Sequence, residues 1–171
     1  LLSGREVPPE GGETEYADLR GAWDALSADR KRGLEALVAE HSFVYSRGLI
    51  GYDQFTDAER AAVPPVPQAV VRTHPATGRK SLYLGSHASH ILGRPVEEGR
   101  ALLRELLEFA TQPQFVYRHV WRQHDLVMWD NRCALHRGRP WDERRYRRVM
   151  HRTTVAGAGP TAVDGLPIPV G

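Results

Sequence analysis

The chain has 171 residues, 41% of them hydrophobic and 26% charged, with a net charge of +2, which describes one globular domain with a core and excludes a disordered or fibrous polypeptide. Its one cysteine, Cys133, excludes an internal disulfide and any multi-cysteine metal cluster, and reads as a small packed side chain. No stretch approaches the roughly 18–20 apolar residues of a membrane span, and the opening LLSGREVPPEGGE lacks the basic and apolar regions of a signal peptide, so a cytoplasmic location is expected.

In chain order, LLSGREV is strand-like and runs into a Pro/Gly turn, after which Asp18 suits the N-cap of a helix over LRGAWDAL. Ser27 caps a second helix, and over residues 28–46 the positions of Leu34, Leu37, Val38, Phe43 and Val44 predict one amphipathic helix. Residues 53–67 mix polar residues with prolines and read as a loop. AVVRTHPATGRKSLYLG holds two β-rich runs around a Pro-Ala-Thr-Gly turn, a hairpin. Pro95 suits the first turn of a helix over VEEGRALLRELLEFAT, with Leu102, Leu103, Leu106 and Leu107 as its apolar stripe. Short β-like runs follow in QFVYRHVW, DLVMW and YRRVMHRTTVAG. Residues 158–171 form a Gly/Pro-rich tail, mobile unless it covers a site. Helices inserted among short strands make the fold class α+β with a sandwich or barrel core.

Residues 131–152 hold eight arginines and two histidines and carry +6, which leaves −4 on the rest of the chain. Positive charge concentrated in one stretch indicates a local demand for anion binding, not a nucleic-acid face spread over a surface. Asp142 and Glu143 interrupt the run, and Trp141 and Tyr146 are its only stacking aromatics, which argues further against RNA. In a strand, Arg148, Met150 and Arg152 share one face and Arg147, Val149 and His151 the other. Two guanidiniums on one face suit either a pocket for a carboxylate or sulfonate, or internal salt bridges. His136, at the end of a hydrophobic run, is placed to present an imidazole to the same pocket or to act as a structural hydrogen-bonder. His87 and His90 in SHASHI are candidate contacts for a substrate carboxylate or hydrogen-bonders at a helix entry. His119 and His124 flank a turn, and Asn131 suits one.

MWDNRCALHRGR followed by RRVMHR resembles the C-terminal signature of the iron(II)/2-oxoglutarate-dependent dioxygenases of the taurine dioxygenase and 2,4-dichlorophenoxyacetate dioxygenase type. VPPEGGETEYAD resembles the co-substrate segment of that family, and THPATGRKSLYLGSHASHI leans toward its phenoxyacetate branch. The resemblance runs over about residues 4–157 in the expected order. It implies a double-stranded β-helix, or jelly roll, over residues 1–157 with helices outside. It also implies a non-haem iron held by two His and one carboxylate, with open positions for 2-oxoglutarate and O2. Carried over by residue, His136 matches the distal iron ligand. Arg148 and Thr14 match the residues that hold the far carboxylate of 2-oxoglutarate, with Arg147 as the alternative to Arg148 if the register slips by one residue. Arg152 matches the residue that receives the substrate's anionic group, and Trp129 an aromatic beside the metal. The implied reaction hydroxylates a small anionic substrate, aryloxyalkanoate- or sulfonate-like, and releases succinate and CO2. For an aryloxyacetate, hydroxylation beside the ether oxygen yields a hemiacetal that releases a phenol.

The family's other two iron ligands come from an upstream His-X-Asp, and no His-X-Asp or His-X-Glu occurs in this chain. With one ligand of three, Fe(II) would bind weakly, because fixed multidentate ligands supply most of the affinity. The chain therefore reads as the C-terminal part of a longer enzyme, inactive alone, or as a non-catalytic jelly-roll module that binds a small anion. A homo-oligomer is compatible with either.

Overall fold

The structure is a computed structural model and describes residues 1–157, 159, 161–163, 166 and 167. Elements in chain order are β1 (Leu2–Glu6), β2 (Thr14–Asp18), α1 (Leu19–Ala25), α2 (Ala28–Leu34), β3 (Val38–His41), α3 (Phe43–Gly48), α4 (Asp57–Ala62), β4 (Val66–Ala69) and β5 (Val71–Thr73). They continue with β6 (Lys80–Leu82), β7 (Ala88–Ile91), α5 (Val96–Ala110), β8 (Val116–His119), β9 (Leu126–Val127), β10 (Ala134–Gly138), β11 (Val149–Arg152), β12 (Ala162–Val163) and β13 (Leu166–Pro167). Helices and strands are mixed, as expected.

Three antiparallel three-stranded sheets run in the orders β11-β1-β9, β10-β2-β8 and β4-β3-β7, beside the hairpin β5-β6 and the pair β12-β13. The core lies where α1 and α5 cover the strands, with Leu19, Val70, Leu82, Ile91 and Leu106 fully buried. Leu103 and Leu106 of the predicted stripe point inward, while Leu102 and Leu107 pack at its margin. Helix α5 approaches β7 so closely that a Cβ on Gly99 would stand 2.6 Å from the Ile91 amide nitrogen, so only glycine fits there. Asp18 caps α1 and Ser27 caps α2, each accepting a backbone N–H. The predicted hairpin pairs Val71 with Leu82, and Pro95 precedes α5 at its N-cap.

Two expectations are corrected. Residues 28–46 do not form one helix: α2 stops at Leu34, and Val38–His41 is the central strand between β4 and β7. Val38 and Ala39 are buried between those neighbours, and two ladders of backbone hydrogen bonds outweigh helical periodicity read from a short apolar run. Residues 53–67 are not simply a loop, because Thr56 and Glu59 close a capping box that starts α4, and β4 begins at Val66.

Part of the tail is tied down. Thr161 Oγ1 and its backbone N–H donate to Gln68 Oε1 at 2.6 and 3.1 Å, and the same hydroxyl accepts from Ala69 N–H. The expectation of a mobile tail over residues 158, 160, 164, 165 and 168–171 lies outside the described residues. Among the described residues, no helix is long and apolar enough to cross a membrane.

Candidate active site

The site is built on the pairing of β2 with β10. Their antiparallel register sets His136 opposite Tyr16 and Gly138 opposite Thr14, so Thr14, Tyr16 and His136 project from one face. Residues 15 and 137 project from the other. There the buried Glu15 carboxylate accepts from Arg118 Nε at 3.0 Å and Arg137 Nε at 2.7 Å, with Arg139 Nε at 3.9 Å. These bonds, Arg137's first, hold the Glu15 carboxyl below the ordinary range. The basic stretch is thus partly neutralised within the protein: Arg132 pairs with Asp130 and Arg147 with Glu6.

The inner face opens into a cleft of about 1350 Å³ whose lining includes His136, Trp129, Arg152, Arg72, Tyr83 and His74. The Trp129 ring lies 4.8 Å from that of His136, and its indole N–H donates to Asn131 Oδ1 at 2.7 Å, which fixes the ring's orientation. Neither His136 ring nitrogen has a hydrogen bond among the described residues. Burial, aided by the positive charge of Arg152, lowers its pKa and favours the neutral imidazole, the form that offers a lone pair. Arg152 has no ion pair among the described residues. The Arg72 guanidinium stands over the Tyr83 ring at 4.0 Å, likewise without a carboxylate partner among them. His74 Nε2 and Asp130 Oδ2 are 3.0 Å apart at the cleft wall, and Arg132 and then His74 hold the Asp130 carboxyl far below the usual carboxylate range.

Beside Tyr16 lie the two residues expected to hold a carboxylate. Trp121 Nε1–H donates to Thr14 Oγ1 at 2.9 Å, so the Thr14 hydroxyl serves as acceptor there and its own hydrogen is directed elsewhere. Arg148 Nε–H donates to the Gly12 carbonyl at 3.0 Å, and its guanidinium stands over Trp141 at 5.5 Å. Gly12 has φ +68°, and a Cβ there would meet Arg148 Cδ at 3.0 Å, so glycine is what allows this approach. Burial lowers the Arg148 pKa, which leaves a cation with little internal compensation. Arg147 points instead to solvent, paired with Glu6 at 3.6 Å.

The structure brings Trp129, His136 and Arg152 to the cleft, sets Thr14 and Arg148 beside Tyr16 outside its lining, and leaves out His87 and His90. His90 sits on β7 and His87 in the turn just before it, away from the cleft, because β7 is committed to β3: His87 is exposed against the Phe43 ring, and His90 Nδ1 lies 2.9 Å from Ser89 Oγ and 3.8 Å from Glu40. The cleft also uses residues that sequence reasoning passed over, namely Arg72, His74, Tyr83 and Asp130. Strand alternation from Thr14 would have found Tyr16; nothing local marks His74 or Asp130, which meet from 56 residues apart. Among the described residues, no three His, Cys, Asp or Glu side chains converge to hold a metal ion.

A family model described as taurine catabolism dioxygenase TauD, TfdA family, matches residues 1–154. The chain is 53% identical over 155 residues to the alpha-ketoglutarate-dependent 2,4-dichlorophenoxyacetate dioxygenase of Burkholderia sp. (strain RASC), an overlap of 91% of this chain and 52% of that protein. It is 42% identical over 163 residues to the (S)-phenoxypropionate/alpha-ketoglutarate-dioxygenase of Sphingobium herbicidovorans, covering 92% of this chain and 56% of the relative. The crystal structure of AAD-2 in complex with Mn(II) and N-oxalylglycine matches with a TM-score of 0.90 at 55% identity, over 95% of this chain and 64% of that one. The chain belongs to the TauD/TfdA family of dioxygenases. It spans about half the length of the curated relatives it matches.

Proposed function

We propose that this chain is the C-terminal part of an Fe(II)/2-oxoglutarate-dependent dioxygenase acting on a small anionic substrate, with a jelly-roll core completed by upstream residues. The observation that carries the reading is the set of Thr14 and Arg148 beside an imidazole, His136, that has no hydrogen bond among the described residues. When bound, iron and 2-oxoglutarate supply oxidative decarboxylation coupled to hydroxylation: 2-oxoglutarate, O2 and R–H become succinate, CO2 and R–OH. This chain's part is to bind and orient. Thr14 and Arg148 anchor the far carboxylate of 2-oxoglutarate, His136 offers a neutral imidazole to iron, and Trp129 walls the site against water. Arg152 receives the anionic group of the substrate. The Tyr83 ring under Arg72 suits an aromatic body, which favours an aryloxyalkanoate-like acid over a simple sulfonate.

Succinate formation from 2-oxoglutarate tests this, with Fe(II), O2 and an aryloxyacetate or taurine, on the chain alone and extended upstream through an encoded His-X-Asp. Turnover only in the extended form, abolished by His136→Ala, is the expected result. A second reading follows from the lack of a three-ligand cluster among the described residues: a non-catalytic module that binds small anions. Failure of the extended form to bind Fe(II) would favour it.

A further inference from the structure

Aromatic rings stand in a row from the cleft to the outside of the sheet β10-β2-β8. The Trp129 ring is 4.8 Å from that of His136, Tyr16 is 5.2 Å from Trp129, and Tyr117 of β8 is 6.5 Å from Tyr16 and stacked on it. Sheet register fixes the last step, because Tyr117 pairs directly with Tyr16. Trp129 lines the cleft, Tyr16 is buried, and Tyr117 is 62% exposed.

The far end of the row carries a base. Tyr117 Oη and His119 Nδ1 are 3.3 Å apart, and His119 Nε2 and Asp125 Oδ2 are 3.1 Å apart. Asp125 also accepts the Arg122 backbone N–H at 2.8 Å, which holds its carboxyl below the ordinary range. A carboxylate only accepts, so the hydrogen of the neutral His119 ring sits on Nε2, and Nδ1 offers its lone pair to the Tyr117 O–H. The Trp121 ring meets that of His119 edge-on at 4.5 Å and fixes its orientation. Tyr16 lacks such a base: Thr14 bonds its hydroxyl and the Arg148 charge acts on it, and neither takes up a proton. Indole and phenol are the most easily oxidised aromatic side chains, and a phenol gives up an electron readily only where its proton has an acceptor.

We infer that Trp129, Tyr16 and Tyr117 form a path that draws a one-electron oxidising equivalent away from the cleft and ends at Tyr117; this rests on the dioxygenase reading above. The oxidant is a strong one-electron oxidant that O2 chemistry leaves at the cleft when no substrate C–H is in reach. It gains one electron from Trp129, and Tyr117 refills Trp129 across the Tyr16 ring. The Tyr117 proton passes to His119 Nδ1, where the Asp125 carboxylate balances the imidazolium. The neutral phenoxyl radical then stands at an exposed position, where a small thiol in solution returns the electron and His119 the proton. Trp129 and His136 are spared.

The test places an oxidant at the cleft without iron. Met128 precedes Trp129, lines the cleft and is 75% exposed, so a ruthenium polypyridyl photo-oxidant attached at Met128→Cys stands at the mouth of the path, while the buried Cys133 stays unlabelled. Flash oxidation of the labelled 171-residue chain is followed by transient absorption and freeze-quench EPR, alone and with Trp129→Phe, Tyr117→Phe, His119→Gln or Asp125→Asn, each first shown to be folded by urea unfolding. The expected result is a tryptophan radical that decays into a tyrosyl radical. Trp129→Phe loses both signals; Tyr117→Phe and His119→Gln lose the tyrosyl signal and prolong the tryptophan one. Asp125→Asn slows the transfer by freeing the His119 tautomer, and takes the place of His119→Gln if that variant does not fold. No tyrosyl signal in the native background, or one of native size and rate in any of these variants, would overturn the path. None of these outcomes involves iron, so they leave the dioxygenase reading to the succinate assay. If succinate never forms in the extended protein, that reading falls and the path loses its oxidant, whatever the flash result.

Discussion

His41 makes the stability of this protein sensitive to mild acid. It ends β3 with its ring 5.1 Å from the Tyr83 ring and nearly parallel to it, and its Nε2 is buried without a hydrogen-bond partner among the described residues. Burial, with smaller contributions from His87 and Arg72, pushes its pKa from the ordinary 6.5 down to about 4. The fold therefore favours the neutral ring, and between those two values the unfolded chain binds more protons than the folded one. Stability from this source is complete above the ordinary value and is lost as pH falls through 6.5 toward 4. The loss amounts to about 2 kcal/mol at pH 5 and about 3 kcal/mol below pH 4. His41→Phe keeps a flat ring against Tyr83 and abolishes the titration. Urea unfolding of both proteins at pH 7.5 and pH 5 should show the native chain losing about 2 kcal/mol more than the variant. If the two lose stability in parallel, the buried neutral imidazole is not the source, and the reasoning fails.

Two further substitutions probe the two faces of β2. Glu15→Gln keeps the shape of the side chain but turns an amide toward Arg118 and Arg137; because both arginines are more than half exposed, screening limits the cost to about 1–2 kcal/mol at pH 7. The Glu15 pKa is lowered, so the difference from the native chain should shrink as pH drops below the ordinary 4.5 and through the folded value, and equal midpoints at pH 7 in urea would refute it. Gly12→Ala forces a side chain onto a φ of +68° and within 3.0 Å of Arg148 Cδ. It should cost about 1–2 kcal/mol by thermal unfolding and weaken 2-oxoglutarate binding by displacing the guanidinium. Native affinity in a folded Gly12→Ala variant would mean that Arg148 is not the anchor.

Much of the local structure was legible in the amino-acid order because its causes are local. Asp18 and Ser27 cap the next residues' amides, the Pro-Ala-Thr-Gly turn closes β5 on β6, and the leucine stripe of α5 repeats at the helical period. The motifs around His136 and Arg148 carried the family for a similar reason, since residue types at fixed spacing survive without knowledge of the fold. Tertiary structure decided what depends on distant partners. Val38–His41 became a strand because β4 and β7 flank it, against its own helical periodicity. Pairing with Glu6 turned Arg147 outward, while the Gly12 carbonyl and the Trp141 ring held Arg148 in. His87 and His90 were drawn to the β3 side and away from the cleft. His74 and Asp130 met across 56 residues. Hydrogen bonds and burial between segments far apart in sequence are set by sheet register and packing, and neither is encoded in any short stretch of chain.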